Sequence, residues 1–324
     1  MSAKKKVSRR LVVAGVAAAA AAAATATLLP SSATGAESAP VGFGAGTTGG
    51  GSASAVTVNS LAAFKSAVAG DQAKVVKVSG TISVSGQVDV GSNTTVLGTG
   101  ASSGFTGGGL RIKGKSNVVI RNLNLSKPKA PADAVTVDSS TKVWIDHNSF
   151  SADRDHDKDY YDGLLDITHG SSSVTVSWNT FKDHFKGSLV GHSDNNAAED
   201  TGKLKVTYHH NLFSNVYSRL PSLRFGTGHV YNNYVTGADT GSHSRMGAQM
   251  LVENNVYRNT KVAVTTSRSS DEDGYVNLRG NDFGGAATEV SQEGDFTDPP
   301  YDYTAEPASS VVGSVTAGAG AGKL

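Results

Sequence analysis

Three aspartates and three basic residues stand where they could do chemistry together. Asp162 and Asp166 belong to Asp162-Gly163-Leu164-Leu165-Asp166-Ile167, and Asp133 opens Asp133-Ala134-Val135-Thr136-Val137-Asp138. Four residues apart on a non-helical segment, Asp162 and Asp166 can reach the same side of a strand, because side chains alternate with a period of two. Carboxylates grouped without His or Cys favour a hard cation with oxygen ligands, most simply Ca²⁺. The basic partners are Lys186 and the pair in Arg219-Leu220-Pro221-Ser222-Leu223-Arg224. Guanidinium forks match carboxylate geometry, and Pro221 favours a rigid loop holding both. A third set, Asp155, Asp157 and Asp159, imitates a helix-flanked calcium loop, but Tyr160 stands where that loop requires glycine and no helices flank it.

The elements that must position these residues are short. The chain has 324 residues, 38 of them glycine and none cysteine, with 38% hydrophobic and 18% charged residues. That composition excludes a disordered chain, a disulfide framework and any cysteine-based metal site. Lys4, Lys5, Lys6, Arg9 and Arg10 precede an Ala-rich apolar run to about Leu29 and then small residues, Ser31 to Ala36. This is the pattern of a secretory signal over residues 1–36, and Ser8-Arg9-Arg10 also resembles a twin-arginine export signal. Removing it leaves 24 Lys+Arg against 28 Asp+Glu, a net charge of −4. The mature protein then has no general attraction to nucleic acid or anionic membranes, and an anionic ligand must be held by local cations or a metal. The expectation is an exported, single-domain protein over residues 37–324, with residues 37–55, rich in Gly, Ser and Ala, as a flexible leader.

Beyond this leader, Leu61 to Val68 has helical apolar spacing that could cap a core. Short β-branched runs follow, such as 74–78, 117–120 and 173–177, broken by Gly, Ser and Asn. An Asn-x-aromatic element recurs at Asn148, Asn179, Asn211, Asn232, Asn255 and Asn281. Near-constant spacing of this kind marks stacked coils, a parallel β-helix (an all-β solenoid), rather than a sandwich or propeller. Asparagines at one place on each coil can bond to their neighbours above and below, with the aromatics stacked inside. Asp133 then lies one coil from Asp162 and Asp166, while Lys186, Arg219 and Arg224 sit on consecutive coils. From Asp295 onward the chain is expected to lie outside the solenoid as a tail.

Val143-Trp144-Ile145-Asp146-His147, Asp162-Gly163-x-x-Asp166 and Arg219-x-Pro221-x-x-Arg224 follow one another in this order, joined by matching stretches at residues 183–192 and 225–233. With these motifs the chain resembles the extracellular pectate lyases of polysaccharide lyase family 1, over roughly residues 60 to 320. The resemblance implies a right-handed parallel β-helix, calcium, and eliminative cleavage of α-1,4-polygalacturonate. It implies Asp133, Asp162 and Asp166 as metal ligands, Lys186 and Arg224 as substrate-binding residues, and Arg219 as the base that removes the proton on C5. A free guanidinium keeps its proton to about pH 12, so that role needs neighbouring cations, which disfavour a protonated arginine. Two positions depart from the family pattern: Pro131 stands where an acid is frequent, and Asp162 where Glu is frequent. Both leave fewer or shorter ligands. Trp144, Asp146 and His147 read as a structural hydrogen-bond network, and His184 and His192 as residues that orient Lys186.

Three rival functions fit the sequence less well. A pectin lyase acting on methyl-esterified polymer would lack the calcium acids that Asp133, Asp162 and Asp166 supply. A polygalacturonase needs clustered acids working on water, and the adjacent Asp-Asp pair expected near Arg111-Ile112-Lys113 is absent. A non-catalytic polysaccharide-binding β-helix would have lost the Lys186, Arg219 and Arg224 set, which is intact. The expected protein is a secreted, monomeric, calcium-dependent lyase with no nucleic-acid partner and no membrane association after signal removal.

Overall fold

Valine, isoleucine and threonine in runs of three to seven residues, separated by Asn, Gly and Ser, form short strands. In the computed structural model, which describes residues 37–324, they stack as three parallel sheets of ten, nine and eight strands. The signal read over residues 1–36 lies outside the described residues. Each sheet is built from strands one coil apart, so the fold is the parallel β-helix expected from the repeat. Isoleucine, valine and phenylalanine pointing inward fill one continuous core, among them Ile120, Ile145, Phe150 and Phe181. The helix Leu61–Val68, capped by Ser60, inserts Phe64 and Val68 into the first coil and covers the open end of that core.

The asparagine ladder fixes one corner. Asn148 donates through Nδ2 to Asn179 Oδ1 (3.0 Å), Asn179 to Asn211 (3.0 Å), Asn211 to Asn233 (2.9 Å), Asn233 to Asn255 (2.9 Å) and Asn255 to Asn281 (3.1 Å). The fourth rung is Asn233, not Asn232. Asn232 takes a positive φ of 52° and faces Glu306 instead. The same one-residue shift puts Val235, not Tyr234, beside Phe213 in the core. Phe150, Phe181 and Phe213 stack with centroids 4.8 and 4.7 Å apart, a geometry that adds roughly 0.5–1.5 kcal/mol per pair beyond area burial.

The segment expected to be a flexible leader is laid against the ten-stranded sheet. Its backbone N–H groups bond to side chains that project from successive coils: Phe43 to Thr207 Oγ1, Gly44 to Thr175 Oγ1, Gly49 to Asn117 Oδ1 and Gly50 to Thr95 Oγ1. The glycines are there for contact rather than flexibility. A Cβ on Gly50 would lie 2.1 Å from the Lys74 carbonyl oxygen. The chain from Asp295 does cross the outside, where Tyr301 bonds Thr207 and His229 and Tyr303 bonds Glu253. It then forms a helix, Ala308–Gly318, that the sequence reading did not anticipate. Its Val311 and Val315 pack with Val256, Leu212 and Tyr234 on the eight-stranded sheet.

Candidate active site

Asp166 and Arg224 lie on strands of the nine-stranded sheet and Lys186 ends a strand of the eight-stranded sheet, while Val143-Trp144-Ile145-Asp146-His147 runs on the ten-stranded sheet. Asp146 there accepts from Arg121, Ser177 and His147 Nδ1 at 2.6–2.7 Å, and Trp144 Nε1 donates to Ser177 Oγ. Buried, and with Asp146 held by three donors, this motif is structural, as expected.

Asp133 ends the loop before strand Val135–Asp138, and Asp166 lies within strand Leu165–Thr168, one coil on. The register pairs Thr136 with Asp166. Asp133 accepts from the Gly163 N–H (2.8 Å) and from Thr136 Oγ1 (2.7 Å), while Asp166 accepts weakly from the Leu189 N–H at 3.3 Å. Gly163 separates the two carboxylates. A Cβ there would fall 2.5 Å from Asp166 Oδ1 and 2.9 Å from Asp133 Oδ1. The opening between them is therefore the size of an atom and lined by carboxylate oxygens. Burial, and then the Asp166 charge, pushes the Asp133 carboxyl up to about 8. Burial likewise raises Asp166 to about 6, with Arg219 pulling it down and Asp162 pushing it up. Two adjacent carboxyls held above their ordinary range are a site short of positive charge.

Asp162 is close enough to act on both, yet its Oδ1 is turned to Lys186 Nζ, 3.2 Å away, which also meets Asp159 Oδ1 at 3.1 Å. Among the described residues no three His, Asp or Glu side chains converge as a metal-holding group. The structure thus brings Asp133 and Asp166 together, with Asp162 within reach but paired to Lys186.

Lys186 ends strand Thr180–Lys186, and its N–H donates to His184 Nδ1 at 2.8 Å. Burial and then the Lys186 charge lower His184 to about 4, so a neutral imidazole anchors the lysine backbone. His192 does not share this task. It stacks on His169, with ring centroids 4.1 Å apart. One coil beyond Lys186, Arg219 sits in the turn into strand Ser222–Arg224, with a left-handed φ of 66° and its carbonyl accepting from Ser188 N. Lys186, Arg224 and Arg245 are all ion-paired. The Arg219 guanidinium donates to no side chain among the described residues.

Lys186, Arg219 and Arg224 line one open groove of about 690 Å³, together with Tyr217, Arg245 and Arg268. The sequence reading named Asp159 only in a rejected calcium loop and missed Arg245 and Arg268. Arg245 had a usable signal, because it lies 21 residues after Arg224, one coil of the repeat, and the two pair in register.

Known proteins resemble this chain along most of its length. A family model described as pectate lyase matches residues 16–324. Pectate lyase A of Aspergillus niger is 51% identical over 277 residues, covering 85% of this chain and 84% of that protein. Pectate lyase A of Emericella nidulans is 50% identical over 275 residues, covering 83% of each. Among solved structures, a pectate lyase from Bacillus sp. N165 in complex with trigalacturonate superposes with a TM-score of 0.81 at 32% identity, covering 87% of this chain and 99% of that one. Pectate lyase II of Xanthomonas campestris superposes at 0.77 with 31% identity, over 88% and 98%. A parallel β-helix with paired carboxylates beside a cation-lined groove, matched along nearly its whole length by these relatives, belongs to the pectate lyase family.

Proposed function

We propose that the protein cleaves α-1,4-polygalacturonate by β-elimination, with Ca²⁺ as cofactor and Arg219 as base. The observation that carries this reading is the juxtaposition of an arginine with no side-chain partner among the described residues and two half-buried carboxyls held above their usual range. Asp133, Asp162 and Asp166 would hold the ion. The oxygen-lined opening at Gly163 fits a hard cation, and Asp162 needs only to exchange Lys186 for it. When bound, Ca²⁺ supplies positive charge that acidifies the proton α to a substrate carboxylate.

The chain's own residues perform the rest. Arg224 and Lys186 bind uronate carboxylates along the groove, and Lys186 is freed for that task when Asp162 turns away. Arg219, unpaired and facing the same groove, takes the C5 proton. The C5–H electron pair becomes the C4–C5 double bond, and the glycosidic oxygen leaves C4 with its bonding pair and takes a proton from water. One product end is therefore 4,5-unsaturated. A methyl-esterified polymer would have no charge for these cations and acids to manage, which favours the free acid as substrate.

Residues 1–36 are read as a secretory signal and the β-helix as one mature domain acting outside the cell as a monomer. Product analysis tests the reaction class. Elimination yields oligogalacturonides with an ultraviolet-absorbing end and no added water, whereas reducing ends formed with one added water per cut would make the protein a hydrolase.

A further inference from the structure

Arg224 and Arg245 face each other in register on adjacent strands of the nine-stranded sheet. Strand spacing puts their backbones about 4.8 Å apart. Both line the groove and both side chains are only 11% exposed. Two cations held so close and so dry repel, and the Arg245 guanidinium is indeed pressed below its ordinary range, first by burial and then by Arg224. His243, two residues before Arg245 on the groove wall, adds no third charge, since burial and then the Arg245 and Arg224 charges lower it to about 4.

One anion answers both. Asp194 accepts from Arg224 Nε through one oxygen and from Arg245 Nη2 through the other (2.6 Å). It stands in the bend after Gly191, whose carbonyl accepts from Arg224 Nη1 at 2.7 Å. Asp194 is not part of the groove lining. It grips the two guanidiniums from behind, leaving Arg224 Nη2 without a partner among the described residues. Burial opposes its ionisation, but the Arg224 hydrogen bond and the two arginine charges outweigh it, so the carboxylate stays charged.

We propose that Asp194 is a positioning residue that cancels the repulsion between Arg224 and Arg245 and so holds Arg224 aimed at the uronate carboxylate. This rests on the reading of the groove as a polygalacturonate site. It assigns Asp194 no contact with the polymer: it acts through the arginines.

The test is calorimetric binding of trigalacturonate, beside steady-state cleavage of polygalacturonate at saturating Ca²⁺, in the full protein. Asp194→Asn leaves the pair uncancelled and should weaken binding and raise KM about tenfold, with kcat kept within about threefold. Asp194→Glu, which keeps the charge, should recover part of the loss. The discriminating readout is the cycle with Arg245→Gln, since removing one cation also relieves the repulsion. The double variant should therefore bind more tightly than the product of the two single losses predicts. A merely structural Asp194 would give multiplicative losses and a lowered thermal midpoint, and would overturn the assignment. Unchanged or tighter binding by Asp194→Asn would overturn it too, the latter meaning that Asp194 competes with substrate. If Asp194→Asn does not fold, the same cycle runs with Asp194→Ser, which also removes the charge. A wild type that binds trigalacturonate but makes no unsaturated product would sink the lyase reading alone and leave this binding test intact.

Discussion

The acidity of the Asp133–Asp166 pair makes calcium binding steeply dependent on pH. A carboxylate must lose its proton to ligate a metal, and in the metal-free protein burial holds Asp133 up at about 8 and Asp166 at about 6. Between pH 6 and 8 the ionised fraction of Asp133 rises about fiftyfold and that of Asp166 about twofold, so the apparent Kd for Ca²⁺ should fall about 100-fold. At pH 7 binding should release about one proton, nearly all of it from Asp133. The sign follows from linkage. Both folded-state values lie above the unfolded aspartate value, so the native metal-free protein binds more protons than the unfolded chain between about pH 4 and 8. Its stability therefore falls as pH rises through that window, and Ca²⁺ restores it. Calorimetric Ca²⁺ titrations at pH 6, 7 and 8, in two buffers of different ionisation heat, read both the affinity and the proton count. With Asp133→Asn the pH slope should shrink to the roughly twofold change left by Asp166. A wild-type Kd that stays within about threefold from pH 6 to 8, or calcium uptake without proton release, would refute the reasoning.

Other expectations follow from single contacts. Gly163→Ala puts a methyl 2.5 Å from Asp166 Oδ1 and 2.9 Å from Asp133 Oδ1; Ca²⁺ affinity should fall at least about tenfold in a protein with unchanged circular dichroism. Lys186→Met frees Asp162 from its 3.2 Å ion pair, so Ca²⁺ should bind roughly fivefold more tightly, the size of a pair worth about 1 kcal/mol, while kcat/KM on polygalacturonate drops. Asn211→Ala empties a fully buried rung that donates to Val176, His209 and Asn233; leaving such groups unpaired costs about 1–3 kcal/mol each, and thermal unfolding should come several degrees earlier.

The solenoid was legible because its corner is made by one residue type at one place per coil. The reading slipped at Asn232-Asn233-Tyr234, where the Asn-x-aromatic pattern selects Asn232 and only the hydrogen bonds show that Asn233 turns inward. Residues 37–54 were misread for a physical reason. Glycine-rich composition marks flexibility only when nothing lies beneath it, and here Gly44 and Gly49 leave room for side chains of the sheet and Gly50 for its backbone at Lys74. The C-terminal helix is held by Val311 and Val315 against a distant sheet, with Gly313 inside it, so local propensity carried little signal. At the site, motifs located Asp133, Asp166, Arg219 and Arg224 as positions. That Asp162 points to Lys186, and that Asp194 joins two arginines 21 residues apart in sequence, depends on contacts between coils that no local pattern encodes.

The most direct test of the central claim is ultraviolet absorbance of polygalacturonate mixed with the mature protein, with Ca²⁺ and with chelator, for wild type and Arg219→Ala. The account predicts absorbance that grows only with Ca²⁺ and vanishes in the Arg219→Ala protein while trigalacturonate binding and the thermal midpoint persist. Absorbance that continues without Arg219, or that ignores the chelator, would contradict it.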